Sequence, residues 1–259
     1  MNVLFTVCGR AGSKGFQNKN LKQLRGVPLL YYTLAAIRLY QEAHQDDHVS
    51  VALNTDSGEL IGQAQRQAIF PEIHVVERKA ELAGDITPKV DVIKDTYLAL
   101  KQEKRIDVVV DLDITSPMRR VLDVEQVLAE YRSNEAYDLV YSVVPARRSP
   151  YFNMVEKKES GYYEKICGAA YTARQQAPAA YELNASIYAY RPRFLESEIQ
   201  KTILDYRCGI AVMSDYLVLD IDSEEDFLMM EHLHPYYCRQ DAALAAVYQV
   251  AAGKQRVVS

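Results

Sequence analysis

The first 41 residues contain no carboxylate. Glu42 is the first acidic side chain, and before it stand Arg10, Lys14, Lys19, Lys22, Arg25 and Arg38. The whole chain carries a formal charge of −5, so this stretch at +6 leaves −11 on the rest. An acidic balance of that size argues against a nucleic-acid partner, while an acid-free cationic segment points to a local anion site. No apolar run approaches the roughly 18 residues of a membrane span, so no membrane contact is expected. The N-terminus enters a strand directly, without a signal-peptide pattern. Cys8, Cys167, Cys208 and Cys238 are scattered with no C-x-x-C pair, which argues against a disulfide framework and suits reduced thiols in a cytoplasm. Internal repeats and low-complexity linkers are absent, so residues 1–259 are expected to form a single domain.

What is present is ordinary for a globular enzyme, with 49% hydrophobic and 25% charged residues. Strand-like and helix-like segments alternate. Val3–Val7 is an apolar, β-branched run, and 28–44 carries Leu30, Leu34, Ile37 and Tyr40 at helical spacing behind Pro28. A second strand, His48–Leu53, ends in Asn54-Thr55-Asp56-Ser57, where Asp56 or Ser57 caps a helix to about Gln67. Further strands are expected at 73–76, 106–113 and 138–144, with helices at 89–101, 122–131 and 242–252. Such alternation means a mostly parallel sheet with helices on both faces, and ligands at the carboxyl ends of the strands.

At the first such end lies Gly9-Arg10-Ala11-Gly12-Ser13-Lys14-Gly15, followed by Lys19-Asn20. A glycine-rich turn leaving a buried strand lets backbone N–H groups approach one anion together, and Arg10, Ser13, Lys14 and Lys19 add cations and a hydroxyl. It is neither the dinucleotide fingerprint nor a Walker A loop. Asp111 and Asp113 end another strand two residues apart and so share a face, although either also suits a turn cap. Asp220-Ile221-Asp222, after a strand expected at 217–219, offers two hard carboxylates at a strand end, a pattern suited to Mg²⁺; Ser223 with Asp226 starts a capped helix. The spacings His44/His48 and His232/His234 lack accompanying ligands and read as surface histidines. From Tyr137 to Tyr190 the alternation lapses and nine of the 19 tyrosines gather. Tyrosine combines a large apolar face with a polar tip, and such clusters suit interfaces.

The string G-R-x-G-S-K-G-x-x-x-K-N resembles the signature loop of the acylneuraminate cytidylyltransferases, the synthetases of CMP-activated nonulosonic acids. Further similarities run over about residues 3–230. Arg78 stands in a segment resembling R-P-x-E-L-A-x-D, with Lys79 in the proline position; without that resemblance it would read as a solvated loop arginine. Thr115-Ser116-Pro117 is similar to the family's turn beside the acceptor sugar, where sialic acid synthetases tend to carry glutamine in the Asp113 position. Arg174-Gln175-Gln176-Ala177-Pro178 resembles R-Q-Q-x-P, Asn184–Tyr188 resembles N-G-A-I-Y with Ala185 in the glycine position, and 220–226 is similar to D-I-D-[ST]-x-x-D.

The resemblance implies a Rossmann-like nucleotidyltransferase fold with a dimerisation insertion at about 145–182, a homodimer, and transfer of CMP from CTP to an acidic nine-carbon sugar with loss of pyrophosphate. It implies nucleotide contacts from Arg10, Gly12, Ser13, Lys14, Asn20 and Arg78. Lys19 would lie near the α-phosphate or the sugar carboxylate. The sugar would meet Asp113, Thr115, Ser116, Arg174, Gln175 and Asn184, and Mg²⁺ would be held by Asp220 and Asp222. The hydroxyl proton goes to Asp220 or to solvent. Two other functions fit parts of the pattern: a metal-dependent glycosyltransferase using Asp111 and Asp113, and a non-catalytic nucleotide-sensing subunit.

Overall fold

The computed structural model describes residues 1–253 except 13, 14, 85, 169 and 172. Strand β1 (Asn2–Cys8) is buried from Val3 onward. Its period of two divides the core. Val3, Phe5 and Val7 face one hydrophobic cluster, while Leu4 and Cys8 face a second on the other side of the sheet. A loop then leads to β2 (Gln23–Leu24) and β3 (Val27–Pro28), a tight hairpin turning through Arg25 and Gly26, both at positive φ. That is the backbone a two-residue hairpin turn needs.

Helix α1 (Leu29–Ala43) follows, then β4 (His48–Thr55), α2 (Gly58–Arg66) capped by the Ser57 hydroxyl, β5 (His74–Glu77) and α3 (Lys89–Leu100). Strand β6 (Val108–Leu112) precedes α4 (Val121–Ser133) and β7 (Leu139–Pro145). A small separate hairpin, β8 (Val155–Lys157) and β9 (Tyr163–Lys165), stands between β7 and β10 (Tyr181–Tyr190). Helix α5 (Pro192–Glu196), β11 (Cys208–Val212), α6 (Glu224–Gln240) and α7 (Ala242–Ala251) complete the chain.

The main sheet runs β11-β7-β10-β6-β1-β4-β5. All its pairings are parallel except those of β10, which lies antiparallel between β6 and β7. From β1 the chain goes outward through β4 and β5, then returns to place β6 on the other side of β1. The β1/β6 boundary is therefore the topological switch point, where a crevice opens beyond the carboxyl ends. Helix α3 packs on β1 and β4 over one face, and α1 and α4 lie on the other. Among the described residues no helix is long and apolar enough to cross a membrane.

Two local expectations are corrected. The segment before Asp220 is a short 3-10 turn, Asp215–Val218, and not a strand; the strand lies earlier, at β11. His234 is fully buried, packed edge-on against Tyr32 and Tyr248. Burial pushes its imidazole down to about 4, so it is a neutral core residue and not a surface one.

Candidate active site

The loop after β1 is held by close packing and by its neighbours. A Cβ on Gly9 would lie 2.5 Å from Leu60 Cδ2 and 2.9 Å from Ile114 Cδ1, so only glycine fits without movement. The Ala11 amide donates to Asp56 at 2.8 Å, and Asn20 Nδ2 donates to the Arg10 carbonyl at 3.2 Å. Gly12 adopts φ +67° with open space around it. Gly15 brings the loop against the other end of the chain, where an added Cβ would stand 3.1 Å from the Asp222 carbonyl. Lys19 fastens this junction: its ammonium donates to Asp222 Oδ1 at 2.8 Å and to the Ile221 carbonyl at 3.2 Å. The N-terminal cationic loop and the Asp-Ile-Asp turn are thus one structure, although some 200 residues separate Lys19 from Asp222.

Arg78 is buried, contrary to a solvated loop arginine. Its Nε donates to Asn54 Oδ1 at 2.9 Å and its guanidinium to the Asn54 carbonyl at 3.0 Å. Burial pulls its pKa below the ordinary value. Arg10, Lys19, Asn20 and Arg78 line a cavity of about 200 Å³ together with Asp113, Thr115 and Asp220. Burial, then Asp113, then Asp222 push the Asp220 carboxyl above its usual range, while its Oδ1 accepts from the Ile221 amide at 2.9 Å and lies 3.3 Å from the Ser116 hydroxyl oxygen. The Asp222 side chain is 75% exposed and its only described salt bridge is to Lys19.

The remaining expected residues divide. Ser116 and Asn184 form the support behind the wall: the Ser116 hydroxyl donates to the Asn184 carbonyl, and the Asn184 side chain is held by Ser142 and Leu217. Neither lines the cavity. Arg174 and Gln175 are exposed, in a 3-10 turn where Arg174 donates to the Ala146 carbonyl at 3.0 Å. Ser13 and Lys14 lie outside the described residues. Asp111 is fully buried, taking the Thr6 hydroxyl at 2.9 Å on one oxygen and lying 2.7 Å from Lys89 Nζ on the other.

Lys89 was not among the expected site residues. It opens α3, the helix end that disfavours a cation, and that misplacement is the signal the sequence offered. Its ammonium also lies 2.5 Å from Asp113 Oδ2. Burial opposes its charge, but Asp111 and Asp113 outweigh it and hold the ammonium well above its ordinary pKa. Burial likewise opposes ionisation of Asp113, yet Lys89 and the Thr115 amide and hydroxyl hold its carboxyl at about 2. Beyond Lys89 opens a second, larger cavity of about 510 Å³, with Tyr188 and Tyr190 from β10 on one wall and the 199–203 segment on another. No local pattern marked it, because its 88–91 wall lies about a hundred residues from the walls at 188–203.

A family model described as cytidylyltransferase matches residues 5–249. The CMP-N,N'-diacetyllegionaminic acid synthase of Campylobacter jejuni is 33% identical over 234 residues, covering 89% of this chain and 94% of that protein. The post-translational flagellin modification protein B of Campylobacter coli is 30% identical over 235 residues, with the same coverages of 89% and 94%. An N-acylneuraminate cytidylyltransferase of Streptococcus agalactiae is 27% identical over 232 residues, 88% of this chain but 52% of the relative. Among solved structures, a CMP:2-keto-3-deoxy-manno-octonic acid synthetase complexed with CTP superposes with TM-score 0.62 at 16% identity, over 92% of this chain and all of that one. At that identity the likeness speaks for the fold. By the extent of the family match and of its Campylobacter relatives, this chain belongs to the cytidylyltransferase family.

Proposed function

We propose that the protein transfers CMP from CTP to an acidic nine-carbon sugar and releases pyrophosphate. The observation that carries this is the junction of the cationic loop with the Asp220–Asp222 turn through Lys19, beside a cavity backed by a buried arginine. The triphosphate asks mainly for charge neutralisation and alignment. Arg10 and Lys19 supply the cations. Arg78, immobilised by Asn54, holds the base, and Asn20 faces the ribose. The family and the diacetyllegionaminic acid synthase relative support CTP and a nonulosonic acid as substrates.

The residues fit Mg²⁺. Asp220 is burdened by burial and by two nearby carboxylates, a charge excess that a hard cation relieves. Among the described residues no group of three His, Cys, Asp or Glu side chains converges on a metal-sized site. One or two carboxylates completed by substrate phosphate and water is the usual magnesium arrangement. Asp220 and Asp222 would hold the ion, which when bound neutralises phosphate charge and polarises the attacking hydroxyl. The hydroxyl proton would go to Asp220 or to solvent.

The acceptor is read into the larger cavity, where the tyrosine faces suit the apolar side of an acylated or deoxygenated sugar. A homodimer accounts for the exposed apolar groups of the β8–β9 hairpin, Val155 at 58%, Tyr162 at 76% and Tyr163 at 69%. It also gives exposed Arg174 and Gln175 a neighbouring site to complete. The scattered free thiols support a cytoplasmic setting. The glycosyltransferase reading loses its support, because buried Asp111 is taken by Thr6 and Lys89 and leaves no open Asp111–Asp113 chelate.

The test is pyrophosphate release from CTP and Mg²⁺ across sialic, legionaminic, pseudaminic and 3-deoxy-octulosonic acids. Release with at least one of them is expected. Release with none overturns the reading.

A further inference from the structure

Arg119 is the largest fully buried side chain among the described residues, 1% exposed. Its described side-chain partners are all uncharged oxygens. Nε donates to Ser186 Oγ at 3.0 Å, and Nη2 donates to the Ser186 carbonyl at 2.7 Å and to the Asp113 carbonyl at 2.9 Å. Nη1 is buried with no described partner. Burial pulls the guanidinium down to about 10, with Asp113, Asp111, Asp123 and Asp220 acting against it from a distance. A buried cation with no carboxylate in contact is costly, and an apolar side chain would fill the same space without that cost.

The three bonds cross from one cavity to the other. Asp113 and Thr115 line the 200 Å³ cavity, while Tyr188 and Tyr190 of β10 line the 510 Å³ one. The ladder between β6 and β10 ends at Leu112 and Ile187, and the ladder between β7 and β10 is interrupted between Leu183 and Tyr188. Ser186 lies in that gap, next to Ala185 at φ 49°. The Asp113 amide on the Ser186 carbonyl and the Ser116 hydroxyl on the Asn184 carbonyl, both at 3.2 Å, add to the tie. Where regular pairing lapses, the guanidinium fork thus joins the two walls. We propose that Arg119 is a positioning residue that fixes the nucleotide wall against the acceptor wall and so aligns the attacking hydroxyl with the α-phosphate. The proposal rests on the CMP-transfer reading above and deepens it. Arg119 lines neither cavity, so each keeps its own lining when the fork is lost. Each substrate still binds, and the alignment between them suffers.

The experiment compares wild type with Arg119→Lys, Arg119→Met and Ser186→Ala, using the acid of the panel that wild type turns over fastest. Turnover is expressed per CTP-binding site, counted by isothermal titration, so that a smaller folded fraction does not enter. In both Arg119 variants kcat per site is expected to fall about 10²-fold, the scale of a misplacement of about 1 Å between reacting groups. KM for CTP and KM for the acid should each stay within about threefold, the mark of an interaction realised only in the transition state. Ser186→Ala keeps the cation and removes one bond, so kcat per site should fall about threefold or more with both KM values held. A kcat per site within about twofold of wild type in the Arg119 variants, or a rise in KM for one substrate that accounts for the loss, overturns the positioning role while the activity stands. Where neither Arg119 variant binds CTP, Ser186→Ala decides alone: an unchanged kcat per site overturns the role. A wild type inactive with every acid overturns the CMP-transfer reading and the positioning role with it.

Discussion

The two compartments of the site are built in opposite ways. The compartment proposed for the nucleotide is assembled from strand-end loops whose lining residues cluster in sequence: Arg10, Lys19 and Asn20 after β1, Arg78 after β5, and Asp220 before α6. Its walls are charged, and its parts are tied by short polar contacts such as Lys19–Asp222 and Arg78–Asn54. The apolar compartment is walled by a sheet and a helix. Tyr188 and Tyr190 come from the antiparallel strand β10, and Lys89 comes from α3 about a hundred residues earlier. A compartment made of ionic loops announces itself in composition. One made by the approach of surfaces does not, because its tyrosines look like any half-buried strand residues.

This difference can be broken by substitution, starting with the largest effect. Asp222→Asn is expected to lower turnover on the order of 10³-fold, the several kcal/mol a metal ligand contributes. Isothermal titration without Mg²⁺ should show CTP binding largely retained. Near-wild-type turnover with Mg²⁺ would remove the Asp-Ile-Asp turn from the nucleotide compartment.

Next come Arg10→Ala and Lys19→Ala, each expected to cost about 10²-fold in kcat/KM for CTP, the scale of one lost charge-stabilising donor. Steady-state kinetics in both substrates checks this. Losses under about threefold in both variants would reduce the loop to a solvated basic turn.

Tyr188→Ala should act on the other side alone. An aromatic contact contributes about 0.5–1.5 kcal/mol, so KM for the sugar rises by up to roughly tenfold while KM for CTP holds. If KM for CTP rises equally, the two compartments are not separable.

The smallest effect concerns folding. Ala185 adopts φ 49° at the register shift of β10 against β7, a left-handed conformation that costs a non-glycine residue. Ala185→Gly is expected to stabilise the protein by about 0.5–1 kcal/mol, offset in part by the added chain entropy of glycine when unfolded. Urea unfolding measures it, and a destabilised variant would contradict the strain.

The β1 and β6 strands and the helices between them were legible because burial on both faces writes continuous apolar runs, and the loop after Val7 stood out because carboxylates are missing around it. The 3-10 turn at Asp215–Val218 was not legible: the Leu217-Val218-Leu219 run that ends it has a strand's composition, and the sheet's edge place is already taken by β11. His234 reads as a surface residue because a histidine beside tyrosines is equally at home outside, and only the packing of α1 and α7 on α6 makes it core.

By itself the sequence determined the parallel α/β plan, the cationic loop and the acidic turn, since each is a local pattern whose physics acts between near neighbours. Tertiary structure alone decided that Lys19 meets Asp222, that Arg78 is buried on Asn54, and that Lys89 stands between two aspartates. Those contacts join residues tens to hundreds of positions apart: the parallel pairing of β4 with β5 sets Arg78 on Asn54, and the switch point of the sheet brings the ends of β1 and β6 to one crevice for the others.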